Sequence, residues 1–258
     1  MGAVSVLCLG QSGSGKSTSI GNIPELGIKG LDPKETIIIN ALGKDLPWRG
    51  SKKQYTTWSK TDNPKGNLIF TSHPKEILGW LKYVNENRLD ITNIVIDDST
   101  HTYSMEFIRR IGENGWEKFN DISYYMVTIA NEVKKFRDSL TIFFMHHVKT
   151  DGDDILSPKT VSAQTIGNVV DSKMSSYESF FTIVLLAEKK LEGEDIKYHF
   201  LTEAANTTVK APVGMFPSRE IPNDLGYVKD MIHCYYNDED CQKEEEKPVK
   251  AKRKEIVE

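Results

Sequence analysis

The chain has 258 residues, which is enough for one large domain or two small ones with a sizeable core. Its composition is ordinary for a globular protein, and its formal net charge of −4 argues against indiscriminate nucleic-acid binding without excluding a local basic groove. No stretch approaches the roughly 20 apolar residues of a membrane span. The strand-like N-terminal segment leaves no room for a signal peptide. Cys8, Cys234 and Cys241 are odd in number and scattered, which argues against a disulfide framework. We therefore expect a reduced, cytoplasmic protein with no membrane contact.

The first half of the chain alternates apolar runs with helical patterns. The run NIVIDD at 93–98 is continuously apolar and ends in acids, which is typical of a central parallel strand. His73-Pro74 precedes apolar residues at helical spacing. We predict strands at residues 3–9, 35–40, 67–72 and 93–98, and helices that start near residues 16 and 74.

The second half continues this alternation and then changes to a hairpin. We predict a helix at 116–138, a strand at 141–147, a long loop at 148–172, a hairpin of 180–188 with 196–204, and a helix at 227–237. From Asp238 the chain is almost all charge, so we expect one domain at 1–237 and a disordered tail at 238–258 that either aids solubility or docks a partner. The element order predicts an α/β fold, with a mostly parallel sheet flanked by helices and a C-terminal antiparallel hairpin.

A phosphate-binding motif follows the first predicted strand. Gly10, Gly15, Lys16 and Ser17 match the pattern G-x-x-x-x-G-K-[ST], in which glycines let backbone N–H groups point at phosphate oxygens. The N-terminus of the expected helix would face the same anion. The sequence therefore predicts a nucleotide-binding loop made of Gly10, Gln11, Ser12, Gly13, Ser14, Gly15, Lys16, Ser17 and Thr18.

Acids and histidines end two other predicted strands. We expect Lys16 to bridge the terminal phosphates, the Ser17 hydroxyl to ligate Mg²⁺, and Asp97 to hold Mg²⁺ through water. Asp98 could orient or deprotonate the attacking water. The alternative is that Asp98 is a helix cap or a turn residue. His146 and His147 end a buried strand, so one of them, which we assign as His146, either senses the γ-phosphate or is satisfied by local hydrogen bonds. Ligands bind at the carboxyl edge of parallel sheets, where all these groups are expected to meet.

Five segments carry a resemblance to a known family. They are INALGKDLPWRG (39–50), NIVIDDST (93–100), GWEKF (115–119), the strand ending MHH, and TVKAPVGMFPSREIPNDLGYV (208–228). The chain is similar to bacteriophage RecA-like ATP-binding proteins found among recombination and single-strand annealing genes. The resemblance implies a RecA-like P-loop NTPase core that binds and hydrolyses ATP with Mg²⁺. It also implies self-association into rings or filaments and single-stranded DNA as partner.

The resemblance further implies residue roles. Lys210 lies where RecA-like proteins place a cation that reaches a neighbouring subunit's phosphate, although a solvated surface lysine is the alternative. Arg219 is a weaker candidate for that role. RecA-like enzymes carry a catalytic glutamate just beyond the strand that here reads TIIIN, and this chain has ALGKD instead. Either Asp98 or Asp45 then acts as the base, or hydrolysis is slow.

DNA contacts, implied by the resemblance, are expected in the segment after Asp97 and Asp98 and in the loop 148–172, which face the channel in RecA-like assemblies. Single-strand binding without sequence preference needs cations along the backbone and aromatic rings for stacking. The candidates are Arg109, Arg110, Lys118, Lys149, Lys159 and Lys173 as cations, with Tyr103, Trp116 and Tyr177 as stacking rings.

Other functions of a nucleotide-binding domain stay open at this point. A motor for DNA packaging or helicase loading shares the core and differs in its partner. A small-molecule kinase usually has an arginine-rich lid, and residues 148–172 contain no arginine. A slow nucleotide switch is compatible with the missing glutamate.

Overall fold

The fold is seen in a computed structural model that describes residues 2–152, 159–166, 175–193 and 195–239. The helices of this part are α1 (Ser51–Gln54), α2 (Pro74–Asn87), α3 (Ser99–Arg109), α4 (Glu117–Glu132) and α5 (Leu225–Asn237). Its strands are β1 (Val4–Gly10), β2 (Thr36–Asn40), β3 (Leu68–Phe70), β4 (Asn93–Asp97), β5 (Thr141–Asp151), β6 (Thr160–Ala163), β7 (Ile183–Glu192), β8 (Asp195–Leu201) and β9 (Glu220–Pro222).

The strands join in one mixed sheet of order β3-β2-β4-β5-β1-β7-β8-β9, and β6 pairs with the end of β5. Neighbouring strands from β3 to β7 run parallel. Strands β8 and β9 are antiparallel, so β7 and β8 form the predicted C-terminal hairpin. The expected fold class, a mostly parallel sheet flanked by helices with an antiparallel C-terminal hairpin, is confirmed. One strand, β5, separates β1 from β4.

The core has two layers, one on each face of the sheet. Alternate residues of a strand point to opposite faces. Leu7 and Leu9 of β1 accordingly pack in the layer that α2, α3 and α4 cover. Val6 and Cys8 pack in the layer that α5 and residues 20–55 cover. Because both faces are buried, the central strands are continuously apolar, as the sequence pattern predicted.

The prediction of a helix that starts near residue 16 is wrong. One 3₁₀ turn, Thr18–Ile20, follows the phosphate loop, and the chain then becomes extended at Gly21 (φ −78°, ψ 148°). Gly21 packs on the ring of Trp48, where an added Cβ would lie 2.5 Å from the ring. The next turn contains Pro24, which lacks a backbone N–H. The loop therefore lacks the helix N-terminus that was expected to face a phosphate.

The long loop predicted at 148–172 is wrong in part. β5 continues to Asp151, and β6 pairs with it in antiparallel register from Val148↔Ala163 to Asp151↔Thr160. Residues 153–158 and 167–174 lie outside the described residues, as does the predicted tail from residue 240. The predicted helix at 116–138 ends at Glu132 and continues as a 3₁₀ turn, Val133–Lys135.

Two further expectations concern the compartment of the protein. Cys8 is a free, buried thiol, whereas Cys234 is disulfide-bonded, which contradicts the expectation of a reduced protein. Among the described residues, no helix combines the length and the apolar character needed to cross a bilayer.

Candidate functional site

The phosphate loop leaves the end of β1 and packs beneath the C-terminal hairpin. Gly13 (φ 76°) and Gly15 (φ 90°) occupy the left-handed region that favours glycine. A Cβ on Gly15 would lie 2.7 Å from Nδ2 of Asn223 and 2.8 Å from the ring of Tyr198. Asn223 Nδ2 also donates to the Gly15 carbonyl oxygen at 3.0 Å. The loop therefore obtains its shape from glycines and from contacts with the chain's last strands.

Lys16 is enclosed in this loop and only 6% exposed. Its Nζ donates to the carbonyl oxygens of Gly10 at 2.7 Å and Gln11 at 2.9 Å. Burial lowers the pKa of Lys16 to about 8, although the nearby charges of Asp97 and Asp98 oppose this effect. The ammonium group thus lies within the loop that the motif assigns to phosphate.

Ser17 and Asp97 meet at the expected magnesium position. The Ser17 hydroxyl donates to Oδ1 of Asp97 at 2.9 Å, and the backbone N–H of Asp98 donates to the same oxygen at 3.1 Å. Burial and, to a smaller extent, the charge of Asp98 raise the pKa of Asp97 to about 6, although the Ser17 hydrogen bond opposes both. A buried carboxylate whose ionised form is disfavoured is suited to a cation that compensates its charge.

Asp98 lies between β4 and α3 in a left-handed conformation (φ 55°, ψ 39°) that non-glycine residues rarely adopt. Its carboxylate faces Lys44 Nζ at 3.5 Å, His147 Nε2 at 3.4 Å and His101 Nδ1 at 3.9 Å. Burial alone would raise the pKa of Asp98, but His147, Lys44 and His101 together hold it below its usual range. Asp98 is therefore ionised at neutral pH beside Asp97.

The placement of the two strand-end histidines corrects the assignment of His146. Its ring is fully buried, with Nδ1 2.9 Å from the Ser99 hydroxyl oxygen and Nε2 2.7 Å from the Gln164 carbonyl oxygen. Burial lowers the pKa of His146 to about 3, so the ring is neutral. Both ring nitrogens are thus used in local contacts, and a phosphate sensor needs a free one. His147, which points to the opposite side of β5, lies beside Asp98 instead.

The two candidate bases differ in where they lie. Asp45 is exposed (79% of its side chain) and pairs with Lys52 at 3.1 Å. Asn40, at the end of β2, accepts from the Gly43 N–H and donates to the Lys44 carbonyl, and this shapes the turn that presents Lys44 to Asp98. Asp98 is therefore the candidate base that shares the edge of the sheet with Asp97.

Lys210 lies apart from its own phosphate loop. Its backbone forms a two-hydrogen-bond bridge to Val184 of β7, at 3.0 and 2.8 Å. Val184 pairs in register with Leu7 of β1, and Leu7 precedes Gly10 by three residues. The backbone of Lys210 therefore lies about 10 Å from the start of the phosphate loop, measured along the strands. Arg219 donates from Nε to the Glu203 carbonyl oxygen and lines a separate shallow groove. Neither cation is positioned to contact a nucleotide bound to the same chain.

The residues predicted to contact DNA fall into different environments. Tyr103 and Tyr177 are core residues, 2% and 0% exposed, so the prediction that they stack on bases is wrong. Lys118 is also buried, and its Nζ donates to the carbonyl oxygens of Arg110, Ile111 and Glu113 beyond the end of α3. Its role is to satisfy those carbonyls.

The remaining DNA candidates are nearer the surface. Trp116 is 74% exposed on the turn before α4. Arg110 is paired with Glu113 and Asp121, and Arg109 with Glu106. Lys149 of β5 pairs with Asp151. Lys159 lies next to β6, and Lys173 falls outside the described residues.

The described residues fit a nucleotide with Mg²⁺. In the part of the chain that the structure covers, the backbone N–H groups of Gly13, Gly15, Lys16 and Ser17 donate no hydrogen bond to the protein. Ser14 Oγ is likewise enclosed without a partner. Such donors, together with the Lys16 ammonium, suit phosphate oxygens. The Ser17 hydroxyl and the Asp97 carboxylate supply the oxygen ligands that Mg²⁺ prefers.

Two residues near the C-terminus take part in the site and were missed by the sequence analysis. Asn223 holds the Gly15 carbonyl, as described above. Asp224 accepts from the N–H groups of Lys29 at 2.6 Å and Gly30 at 2.9 Å, and it also caps α5. The capping role was readable from an aspartate placed before a helical pattern. The contact with residues 29 and 30 joins positions nearly 200 residues apart and leaves no local pattern.

Comparisons with known proteins give little beyond this geometry. No protein-family model matches the chain, and no curated protein sequence matches it significantly. Among solved structures, the chain is similar to the KaiC-like protein PH0186 from the hyperthermophilic archaeon Pyrococcus horikoshii OT3. The match has a TM-score of 0.41 and 14% sequence identity, and it covers 78% of each chain. A similarity at this level carries no argument about activity.

Proposed function

We propose that the protein is a Mg²⁺-dependent P-loop ATPase. The observation that carries the proposal is that Lys16 and Ser17 lie beside Asp97 at the carboxyl ends of the parallel strands. The two segments are eighty positions apart in the sequence. A motif match alone predicts only a loop. Here the loop's serine hydroxyl and the strand-end carboxylate are within hydrogen-bond distance at 2.9 Å.

The roles of these residues follow from their positions. The free N–H groups of the loop bind the phosphates, and Lys16 turns from the Gly10 and Gln11 carbonyls to the β- and γ-phosphate oxygens. Ser17 and Asp97 hold Mg²⁺, which when bound neutralises charge that develops on the phosphoryl group. Asp98, ionised and oriented by Lys44 and His147, accepts a hydrogen bond from the attacking water.

The finer proposal is that the ATPase belongs to phage recombination or replication and acts on single-stranded DNA. It rests on the resemblance of five sequence segments to phage RecA-like proteins. An exposed aromatic ring, Trp116, lies in one of the two segments expected to contact DNA. In this proposal subunits associate into a ring or filament, and Lys210 reaches the nucleotide of a neighbour.

The test is ATP hydrolysis with Mg²⁺, measured alone, with single-stranded DNA and with duplex of the same sequence, at low and moderate salt. We expect measurable turnover that single strands stimulate, and the stimulation should fade with salt because it depends on phosphate contacts. Equal rates in all three conditions would support the ATPase and contradict the DNA partner. Absence of both ATP binding and turnover would contradict the ATPase itself. A transferred phosphate on an added small-molecule acceptor would indicate a kinase.

A further inference from the structure

We propose that Asp98, His101 and His147 form a binding site for one divalent transition-metal ion of the Zn²⁺ type, separate from the Mg²⁺ expected at Ser17 and Asp97. The three side chains each offer one ligand atom, and these atoms all lie within 4.8 Å of one another. The proposal does not depend on the protein being an ATPase.

One distance between ligand atoms lies in the range of a tetrahedral site, and a second is slightly longer. Metal bonds to imidazole nitrogen and carboxylate oxygen are about 2.0–2.2 Å long, which puts neighbouring tetrahedral ligands about 3.3–3.6 Å apart. Asp98 Oδ1 lies 3.4 Å from His147 Nε2 and 3.9 Å from His101 Nδ1. The centroids of the two rings are 5.1 Å apart and the rings are nearly perpendicular, so the imidazoles are not stacked. Metal binding would require His101 Nδ1 and Asp98 Oδ1 to approach each other by about 0.3–0.6 Å.

The nitrogens that face this point have no other hydrogen-bond partner. His101 Nδ1 and His147 Nε2 are both enclosed, and in the described part of the chain the polar group that each faces is the Asp98 carboxylate, at 3.9 and 3.4 Å. An enclosed polar atom without a partner is unfavourable, and most such atoms in proteins are satisfied. A metal ion would use both lone pairs at once. The contrast with His146 is direct, because both nitrogens of that ring are engaged.

The backbone holds the three ligands in place before any ion binds. Asp98 is fixed in its left-handed conformation at the start of α3, and His101 follows one turn later, with its N–H donating to the Asp98 carbonyl at 2.8 Å. His147 is fixed on β5, and its N–H donates to Thr100 Oγ1 at 2.7 Å. Residues in rare backbone conformations cluster at functional sites.

The ligand set selects the class of metal. Two imidazoles and one carboxylate suit zinc and neighbouring transition metals, whereas Mg²⁺ prefers oxygen ligands throughout. Lys44 approaches the other carboxylate oxygen, Oδ2, and so leaves Oδ1 for the ion. Three protein ligands also leave a fourth position for a water or a substrate oxygen.

The experiment is a cobalt(II) titration of the full chain, stripped of metal with a chelator and kept in excess Mg²⁺ without nucleotide. Visible absorption of Co²⁺ reports its coordination, and competition with Zn²⁺ gives the relative affinity. The variants are His101→Ala and His147→Ala, and His233→Ala, which removes an exposed histidine of α5, is the matched control. Circular dichroism checks the fold of each variant, and X-ray absorption of the zinc-loaded wild type counts imidazole ligands without any mutation.

We expect one Co²⁺ per chain with a four- or five-coordinate spectrum, displaced by Zn²⁺ and retained in His233→Ala. Each ligand variant should bind Co²⁺ more weakly than wild type. The loss should exceed the roughly 10–100-fold that follows removal of a residue hydrogen-bonded to a metal ligand. Absence of Co²⁺ binding by the wild type would overturn the proposal. Full binding by folded ligand variants, displacement by Mg²⁺, or fewer than two imidazoles in the zinc-loaded protein would also overturn it. ATP hydrolysis is not a readout here, so the result is distinguishable from failure of the proposed function.

Discussion

Ser17 Oγ donates a hydrogen bond of 2.9 Å to Asp97 Oδ1, which joins the phosphate loop to the end of β4. The two strands involved, β1 and β4, are not neighbours, because β5 lies between them. The contact therefore depends on the whole central sheet having its correct order. It also places a buried carboxylate, whose ionised form is disfavoured, directly beside the loop.

The first prediction concerns Lys16. Lys16→Ala should abolish ATP turnover, because it removes the cation that binds the terminal phosphates. The fold should stay intact, because among the described residues the ammonium hydrogen-bonds only to carbonyl oxygens of its own loop, and burial disfavours its charge. The measurement is ATP hydrolysis together with the circular dichroism spectrum. Lys135→Ala removes an exposed lysine paired with Glu132 and serves as the control. Unchanged hydrolysis in Lys16→Ala would contradict the assignment of the loop.

The second prediction concerns Asp97 and pH. Burial raises the pKa of Asp97 from its usual 3.8 to about 6 in the folded protein. A raised carboxyl pKa stabilises the fold below the unfolded value and loses that contribution as the pH rises through about 6. Asp97→Asn, which keeps an acceptor for Ser17 and Asp98, should therefore be more stable than wild type by about 2–3 kcal/mol at pH 7.5 in chelator.

The measurement for Asp97 is urea unfolding at several pH values. The difference between wild type and Asp97→Asn should shrink below pH 6 and vanish near pH 4. Mg²⁺ with nucleotide should stabilise the wild type and have little effect on the variant, because the amide lacks the charge that holds the ion. A difference in unfolding free energy that does not change with pH would show that ionisation of the Asp97 carboxylate is not its cause.

The third prediction separates the two candidate bases. Asp98→Asn should lower kcat by about 10²–10⁴, the usual contribution of a general base, while Asp45→Asn should leave it near wild type. Asparagine tolerates the left-handed conformation of Asp98, so the fold should persist. The measurement is steady-state ATP hydrolysis. The reverse pattern, with Asp45→Asn inactive, would move the base to the turn after β2.

The fourth prediction concerns Lys210 and a neighbouring subunit. Lys210→Ala should hydrolyse ATP slowly yet bind it with normal affinity, since Lys210 lies about 10 Å back from its own loop. Mixing Lys210→Ala with Lys16→Ala should partly restore turnover, because mixed interfaces combine an intact loop with an intact cation. The matched mixture combines Arg219→Ala with Lys16→Ala, since Arg219 is the weaker candidate for the same role. No recovery at any mixing ratio would leave Lys210 as a surface lysine.

The fifth prediction is a stability effect. Asp224→Ala should destabilise the fold by about 3 kcal/mol or more, because four backbone N–H groups lose a charged acceptor at a buried position. Urea unfolding measures it. Asp230→Ala removes an exposed partner of Lys29 on the same helix and should cost under about 1 kcal/mol. Comparable losses from the two variants would contradict the capping role.

The predictable parts of this protein were those with local patterns. Apolar runs located the central strands, and the G-x-x-x-x-G-K-[ST] motif and the strand-end Asp97 met as expected. The short turn after the loop was missed because Gly21 is held by Trp48, a packing contact without a local signal. Polar sequence hid β6, which forms only because β5 extends beyond the core. The choice between His146 and His147 depends on which side of β5 each faces, and the run of apolar residues before them does not reveal it.

The contacts of Asn223 and Asp224 have a consequence for how the protein is made. Asn223 holds Gly15 and Asp224 holds Gly30, so the phosphate loop and the turn after it are braced by residues synthesised about 200 positions later. A ribosome-bound chain that has only its first half carries the whole motif but not its support. We therefore expect nucleotide binding by this loop to require the hydrogen bonds from Asn223 and Asp224, and so to arise late in synthesis.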